Sequence, residues 1–247
     1  MLRKLRDAKL VWPTLATLIA LAVLLQLGTW QLARKRWKDD LQAKIAARVT
    51  AQPVEVGATT VTVRDDSEIE YMHVFATGRF HHDKERHLYA PAPSGLAWHV
   101  YTPLEIHPGL IVWVNRGMVP DAKKSPETRS AGQVTGSVEV RGIARFAPSK
   151  ALFAAENDPA RNLWYWPDQA AMTASAFPSG SIKAMAVFVE ADAQPLPPGG
   201  LPKGGVTRLT LSNRHLEYAV TWYGLALTLV GVYLAFAITR LRAPRPE

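Results

Sequence analysis

The chain has 247 residues, of which 29 are lysine or arginine, 21 are aspartate or glutamate and none is cysteine. The lack of cysteine excludes disulfides, thiolate metal sites and cysteine nucleophiles. More than half of the excess positive charge lies in the first nine and the last eight residues, each next to an apolar stretch. It therefore indicates membrane-flanking charge, and a nucleic-acid partner is not expected.

The first apolar stretch, residues 10–33, carries no formal charge. Its apolar run is longer than the core of a signal peptide, and Gly28-Thr29-Trp30-Gln31 is a poor cleavage site. We therefore predict an uncleaved signal anchor that forms transmembrane helix 1. Helical spacing of Trp30, Arg34, Trp37 and Leu41 predicts that this helix continues to about residue 47 as a stalk.

The second apolar stretch, residues 218–239, is also uncharged and long enough to cross the roughly 30 Å of a bilayer's hydrocarbon. Two spans place both termini on one side. The basic residues of the head, 1–9, and of the tail, 240–247, predict that this side is cytoplasmic and that segment 34–217 is periplasmic. No long amphipathic presequence precedes the first span, which favours a bacterial plasma (inner) membrane over a mitochondrion.

The segment between the spans has the composition of a mainly β domain. Runs rich in branched and aromatic residues, bounded by Gly, Pro or Asp, predict strands at 71–80, 86–90, 96–106, 110–115, 137–146, 184–191 and 206–211. A short helix is predicted around 167–175, and the Pro- and Gly-rich residues 195–205 are predicted to form a loop. The fold class is thus an α+β membrane protein with one or two helices in the outer domain.

A search of this domain for enzymatic chemistry finds no catalytic set. His81, His82 and His87 have no recognised metal-ligand spacing, and we interpret them as surface side chains. His99 and Tyr101 share a strand face, but no carboxylate or nucleophile is placed to complete a catalytic group. There is no phosphate loop and no dinucleotide fingerprint. The sequence predicts a protein that is not an enzyme.

Three other features favour structural interpretations. Arg116 follows an apolar strand, and we favour the hypothesis that it satisfies carbonyls at the strand end over a role as a partner anchor. Gly117 is suited to positive φ. The aromatics of Trp164-Tyr165-Trp166 are predicted to belong to the core or to a contact between domain and membrane.

A histidine stands at the entrance of the second span. His215 lies above Tyr218, Ala219 and Trp222 on one helix face. An imidazole above aromatic and small residues suits a flat, apolar ligand whose iron the ring nitrogen can coordinate. The same residues also fit an interfacial aromatic belt, and both interpretations stay open from this segment alone.

The exit of the first span is predicted to lie opposite that entrance in an antiparallel hairpin. Arg34 or Arg36 would then face Arg214 and His215 across the outer interface. Cations at that depth suit the carboxylates of an amphipathic ligand, and they equally suit lipid headgroups.

Several short fragments occur in a fixed order around the two spans. They are Leu27–Leu32 with Arg34, Ala76–Phe80, Tyr101–Leu104, Val114–Gly117, Trp164–Trp166 with Asp168, and Asn213–Trp222. Together they resemble the surfeit locus protein one family, the assembly factors of haem-copper cytochrome c oxidase, over almost the whole chain. Met118, where the family usually has tryptophan, and Arg214, where asparagine is common, depart from the pattern.

The resemblance implies two membrane helices around one extracytoplasmic domain, and a role in delivering or inserting haem a into oxidase subunit I. It also implies that His215 is the haem iron ligand and that Trp222 is the matching tryptophan. We therefore expect a haem a chaperone without turnover chemistry. Tyr218 and Trp222 would line the ring, and Arg34 or Arg214 would receive the propionates.

The partners that this resemblance implies are oxidase subunit I, the haem a synthase and membrane lipid. An alternative hypothesis is a haem-free adaptor that docks on subunit I or on the synthase through the outer domain. A membrane-tethered hydrolase would require a catalytic cluster that the sequence does not contain.

Overall fold

The computed structural model describes residues 10–57, 69–92, 95–207 and 209–242. The predicted head, residues 1–9, and residues 243–247 of the predicted tail lie outside the described residues. The chain divides into two compact units. One consists of Met1–Lys44 and Thr210–Glu247, and the other is Ile45–Leu209. We call them the helix pair and the β domain.

The described chain forms three α-helices and seven strands. In chain order they are α1 (Val11–Thr50), β1 (Val54–Glu55), β2 (His73–Phe80), β3 (Arg86–Ala92), β4 (Gly95–His107), β5 (Leu110–Pro120), β6 (Ser137–Phe146), α2 (Gln169–Ala176), β7 (Lys183–Ala191) and α3 (His215–Arg242). Short 3-10 turns occur at His82–Lys84, Asp121–Lys123, Pro126–Gly132 and Pro198–Gly200.

Helices α1 and α3 are long and apolar enough to cross a membrane. Only 6% and 11% of their most apolar windows are buried inside the protein, whereas the core helix of a soluble protein would be mostly covered. The exposed apolar side chains need a lipid environment. The protein is therefore a membrane protein, as predicted. Helix α1 also runs past the apolar stretch to Thr50, which confirms the helical stalk.

The seven strands form one sheet in the order β1-β2-β6-β7-β5-β4-β3. Strand β2 pairs with β6 and also with β4, through Arg79↔Glu105 and Phe80↔Leu104. Strands β2, β6, β7, β5 and β4 therefore close into a ring. Neighbours in this ring are antiparallel except β5 and β7, which are parallel.

The ring has a core on its inside and a helix on its outside. Alternate residues of β5 point to opposite faces. Val112 and Val114 join the inner core, while Ile111 and Trp113 pack in a second cluster with Met172 and Ala176 of α2. Both faces of β5 are thus covered. This explains why its sequence is a continuous apolar run and does not alternate.

The fold class was predicted correctly, and six of the predicted strands correspond to β2–β7. The predicted strand at 206–211 is wrong, because none of its described residues belongs to a strand. The chain just before this segment pairs with β5 only through an isolated bridge between Lys203 and Met118. Strand β5 has no free edge for a further strand, because it already pairs with β4 on one edge and with β7 on the other. The short strand β1 was not predicted, since two residues show no periodicity.

Candidate functional site

Helix α3 begins at His215 and packs on α1 through small side chains. Ala219 and Ala226 are 1% and 3% exposed, and they share a helix face with His215. On α1, a Cβ added at Gly28 would lie 2.8 Å from the Tyr223 ring. Small residues let membrane helices approach closely. The face of α3 that carries these small residues therefore packs on α1.

His215 meets Gln31 at this helix contact. Its Nδ1 atom lies 2.6 Å from Gln31 Oε1. A side-chain amide oxygen only accepts hydrogen bonds, so Nδ1 carries the proton and donates it. In the neutral ring, Nε2 then holds the lone pair. Gln31 thus orients the imidazole so that Nε2 is the ring nitrogen that could bind a metal.

The donor set offers one histidine that could hold haem iron and does not suit a multidentate metal site. His215 is half-buried, and its Nε2 has no hydrogen-bond partner within the part of the chain that the structure describes. Among those same residues no group of three or more His, Asp or Glu is arranged to hold a metal ion. A single imidazole beside an apolar span would fit haem iron, because the porphyrin supplies further nitrogen ligands.

The aromatics beneath His215 differ in exposure. Tyr218 is 53% exposed, whereas Trp222, one heptad after His215, is half-buried. Both lie within two helical turns of the imidazole. An aromatic surface is thus available below His215.

The structure does not bring the two candidate arginines to His215. Arg34 lies with its guanidinium 4.0 Å from the Trp37 ring centroid, and Arg214 donates to Glu217 Oε2 at 2.7 and 2.9 Å. Both arginines are exposed. The residue of α1 that faces His215 is Gln31, one turn before Arg34.

The residues before α3 are tied to the stalk. Lys38 Nζ donates to the Ser212 carbonyl at 2.5 Å, and Asn213 Nδ2 donates to Asp39 Oδ1 at 2.8 Å. Together with Gln31, Lys38 and Asp39 lie close to one face of α1. These bonds position the start of α3, and with it the His215 ring.

A second polar cluster lies buried in the β domain. Glu85 is 3% exposed and pairs with the guanidiniums of Arg116, at 3.2 Å, and Arg129. Arg116 also donates to the Gly132 carbonyl and lies 5.0 Å from the Phe80 ring centroid. The expectation that Arg116 satisfies carbonyls at a strand end is wrong in its placement, because β5 continues to Pro120 and the Gly132 carbonyl belongs to the 3-10 turn Pro126–Gly132. Arg116 does bind a carbonyl, and a buried carboxylate joins it.

The outer-domain histidines are not all on the surface. His87 is 6% exposed, with Nε2 3.6 Å from Glu85 Oε2, so the surface interpretation is wrong for this residue. His82 donates from Nε2 to the Val134 carbonyl at 2.8 Å, and its Nδ1 accepts from Arg116 at 3.3 Å. His81 is half-buried and contacts Glu105 at 3.0 Å. These contacts give all three histidines structural roles.

We expect acid to destabilise the β domain through Glu85. Burial alone would raise the pKa of Glu85, but the nearby His82 and His87 side chains and the hydrogen bond and charge of Arg129 outweigh burial and hold the pKa below its ordinary value of 4.5. Because the folded-state pKa is the lower one, this stabilisation is present above about pH 4.5 and is lost as the pH falls below it. The urea concentration at the unfolding midpoint should decrease when the pH is lowered below about 4.5. This decrease should be smaller in Glu85→Gln. An equal acid loss in both proteins would contradict this role.

Sequence reasoning gave no role to Gln31 or Glu85. Gln31 could have been singled out from the sequence. It is a polar residue near the end of an apolar span, and such residues usually have a specific partner. Glu85 had no signal, because nothing in the sequence distinguishes a buried carboxylate from an exposed one.

Known proteins resemble this chain over most of its length. A model of the SURF1 family matches residues 18–227, which include Gln31 and His215. A SURF1-like protein of Monosiga brevicollis is 34% identical over 259 residues, covering 98% of this chain and 95% of that protein. Surfeit locus protein 1 of Mus musculus is 38% identical over 217 residues, covering 81% of this chain and 67% of that protein. The Homo sapiens protein is 37% identical over 219 residues, covering 81% and 69%.

Proposed function

The chain belongs to the SURF1 family, and we propose that it is a membrane-anchored assembly factor for haem-copper cytochrome c oxidase. In this proposal it binds haem a transiently and helps deliver it to oxidase subunit I, without turnover chemistry. Haem a is cargo here and not a resident cofactor. The observation that carries the proposal is the His215–Gln31 pair at the membrane entrance of α3, which occupies Nδ1 and leaves Nε2 without a hydrogen-bond partner among the described residues.

The neighbouring residues have proposed roles in the same site. Tyr218 and Trp222 would contact the ring face, since both are aromatic and lie below His215 on α3. Arg34 and Arg214 would receive propionates. For Arg214, the carboxylate of the ligand would have to replace that of Glu217. Because the Arg214–Glu217 pair is exposed, breaking it costs little free energy. The apolar tail of the cargo would remain in the bilayer.

The proposed setting follows from the two spans. Both termini would be cytoplasmic and the β domain periplasmic, in a bacterial plasma membrane, with the haem a synthase as donor and subunit I as acceptor. A haem site at the membrane entrance suits this transfer, because a ligand with an apolar tail and charged propionates is most stable at that depth.

We expect Gln31→Leu to weaken haem a binding. Without an acceptor on Nδ1, the ring loses its fixed tautomer and orientation. Loss of such a supporting partner typically costs about 10- to 100-fold in metal affinity. The measurement is a haem a titration of the full chain in nanodiscs, followed by absorbance. Gln26→Leu, an exposed glutamine on the same helix, is the matched control. Equal affinity in Gln31→Leu and the unaltered chain would exclude this role of Gln31.

The proposed function is tested in cells that lack this chain and express its oxidase. The unaltered chain should restore the haem a content of subunit I, whereas His215→Ala should restore little of it. His107→Ala, which removes an exposed histidine of the β domain, should behave as the unaltered chain. Full restoration by His215→Ala would refute delivery through this site.

A second candidate function, a haem-free adaptor, is favoured by one surface feature. Leu152 and Phe153 are 89% and 94% exposed, and large exposed apolar side chains often mark protein contacts. An adaptor should bind subunit I equally well with and without haem a, and Phe153→Ser should weaken that complex. The haem carrier should instead lose its function in His215→Ala.

A further inference from the structure

Helix α2 covers only part of the outer face of the strand ring. It packs on Ile111 and Trp113 of β5 and on Phe188 of β7. Beyond Phe188 the same face borders a cavity of about 570 Å³. This volume falls within the range of small-molecule sites in proteins.

The floor of the cavity is a polar row across three neighbouring strands. Tyr101 of β4 pairs in register with Asn115 of β5, and Asn115 pairs with Glu190 of β7. All three side chains line the cavity. The neighbouring row on the same face contains Trp113 and Phe188, which belong to the apolar core. Polar side chains next to such a row usually have a hydrogen-bonding partner, so this row indicates a binding function.

Tyr101 supplies a buried hydroxyl without an acceptor. The residue is 5% exposed, and its Oη accepts a long hydrogen bond of 3.5 Å from Asn115 Nδ2. Its own O–H donates to no described residue. Burial raises the pKa of Tyr101, so the hydroxyl keeps its proton at neutral pH. A buried donor that faces a cavity is satisfied when an acceptor enters it.

Charge in the cavity disfavours an anionic ligand. Arg145 donates from Nε to Glu70 at 2.8 Å, and its Nη1 atom lies 3.8 Å from Glu190. Glu190 lines the cavity and Glu70 does not, and both carboxylates already pair with the one guanidinium there, so a ligand anion would have to compete with them for Arg145. A further carboxylate would be repelled, whereas a neutral carbonyl can still accept from Tyr101.

The walls are apolar and flat. They are formed mainly by aromatic and proline side chains: Tyr89, Pro91, Phe146, Pro148, Pro167 and Phe188. Such walls favour a planar apolar body. We propose that this cavity is a second ligand site, separate from the haem site, which binds a small, flat, neutral molecule whose carbonyl oxygen accepts a hydrogen bond from Tyr101.

The test uses naphthalene-2-carboxamide and naphthalene-2-carboxylate as probes of equal shape and different charge. Binding to the full chain in nanodiscs is measured by saturation-transfer NMR, with empty nanodiscs to subtract partition into lipid. We expect the carboxamide to bind at least about fivefold more tightly than the carboxylate. Because this comparison uses the unaltered chain, it does not depend on the folding of a variant.

A variant then locates the site. Tyr101→Phe keeps the ring that packs on Phe188 and removes only the hydroxyl, so it should weaken carboxamide binding about fivefold, as expected for loss of one hydrogen bond. Tyr165→Phe, a partly exposed tyrosine that does not line the cavity, should change nothing. No saturation transfer to the carboxamide, equal binding of both probes, or equal binding by both variants would each overturn the proposal.

Discussion

Replacing Glu85 with glutamine is expected to destabilise the β domain by about 3–5 kcal/mol, the usual cost of breaking a buried ion pair. The carboxylate is 3% exposed and faces Arg116 and Arg129, which are 7% and 6% exposed. Glutamine has nearly the same shape but carries no charge, so two buried guanidiniums would lose their counter-ion. In a domain of this size the unfolding temperature should fall by roughly 10 °C or more.

The matched control for this substitution is Glu139→Gln. Glu139 pairs with Arg141 at 2.7 Å, but its side chain is 45% exposed. Exposed pairs contribute roughly 0–1 kcal/mol, so the unfolding temperature should hardly change. Thermal unfolding of the full chain in nanodiscs, followed by tryptophan fluorescence, compares the two variants. Similar losses would mean that the Glu85 cluster does not stabilise the domain.

Gly117→Ala is the second substitution with a large expected effect, about 3 kcal/mol or more of destabilisation. Gly117 has φ of +114°, which strains any residue with a Cβ. A Cβ there would also lie 1.9 Å from the Lys203 carbonyl oxygen. That carbonyl accepts from Met118 N at 2.9 Å. The chain around Lys203 would therefore have to move away from β5 and break this bridge.

Gly95→Ala separates the two causes. Gly95 has nearly the same φ, +117°, but a Cβ there would meet no described atom within 4 Å. It should therefore show only the conformational cost, about 1–2 kcal/mol. Urea unfolding gives the free energy of unfolding of both variants. The difference between them is the cost of the contact between the added Cβ and the Lys203 carbonyl. Equal destabilisation would show that the contact with Lys203 costs little.

Most of the fold could be predicted because its signals are local. The two uncharged stretches predicted α1 and α3, and branched residues between turn signals predicted β2–β7. The closure of the ring through β2 and β4 could not be predicted, since pairing between strands leaves no periodic signal in either one. The predicted strand at 206–211 is wrong for a related reason. Its composition favours a strand, but β5, to which Lys203 just before this segment bridges, already pairs on both edges, and composition does not reveal that.

The candidate site was predictable only in part. His215 was found because a histidine at the start of an apolar helix is conspicuous, and helical spacing gave Tyr218 and Trp222. Its partner on α1 was expected to be an arginine, but Gln31 occupies that place. The register between two membrane helices depends on where small residues such as Gly28, Ala219 and Ala226 meet, and that is a tertiary property.

The measurement that tests the central claim most directly is an absorption spectrum of the purified chain after co-expression with a haem a synthase. The unaltered chain and His107→Ala should both show bound haem a, and His215→Ala should show almost none while remaining folded in the membrane. A haem a spectrum retained in His215→Ala would place the iron ligand elsewhere. No haem in any of the three proteins, despite an active synthase, would contradict haem carriage and favour the adaptor.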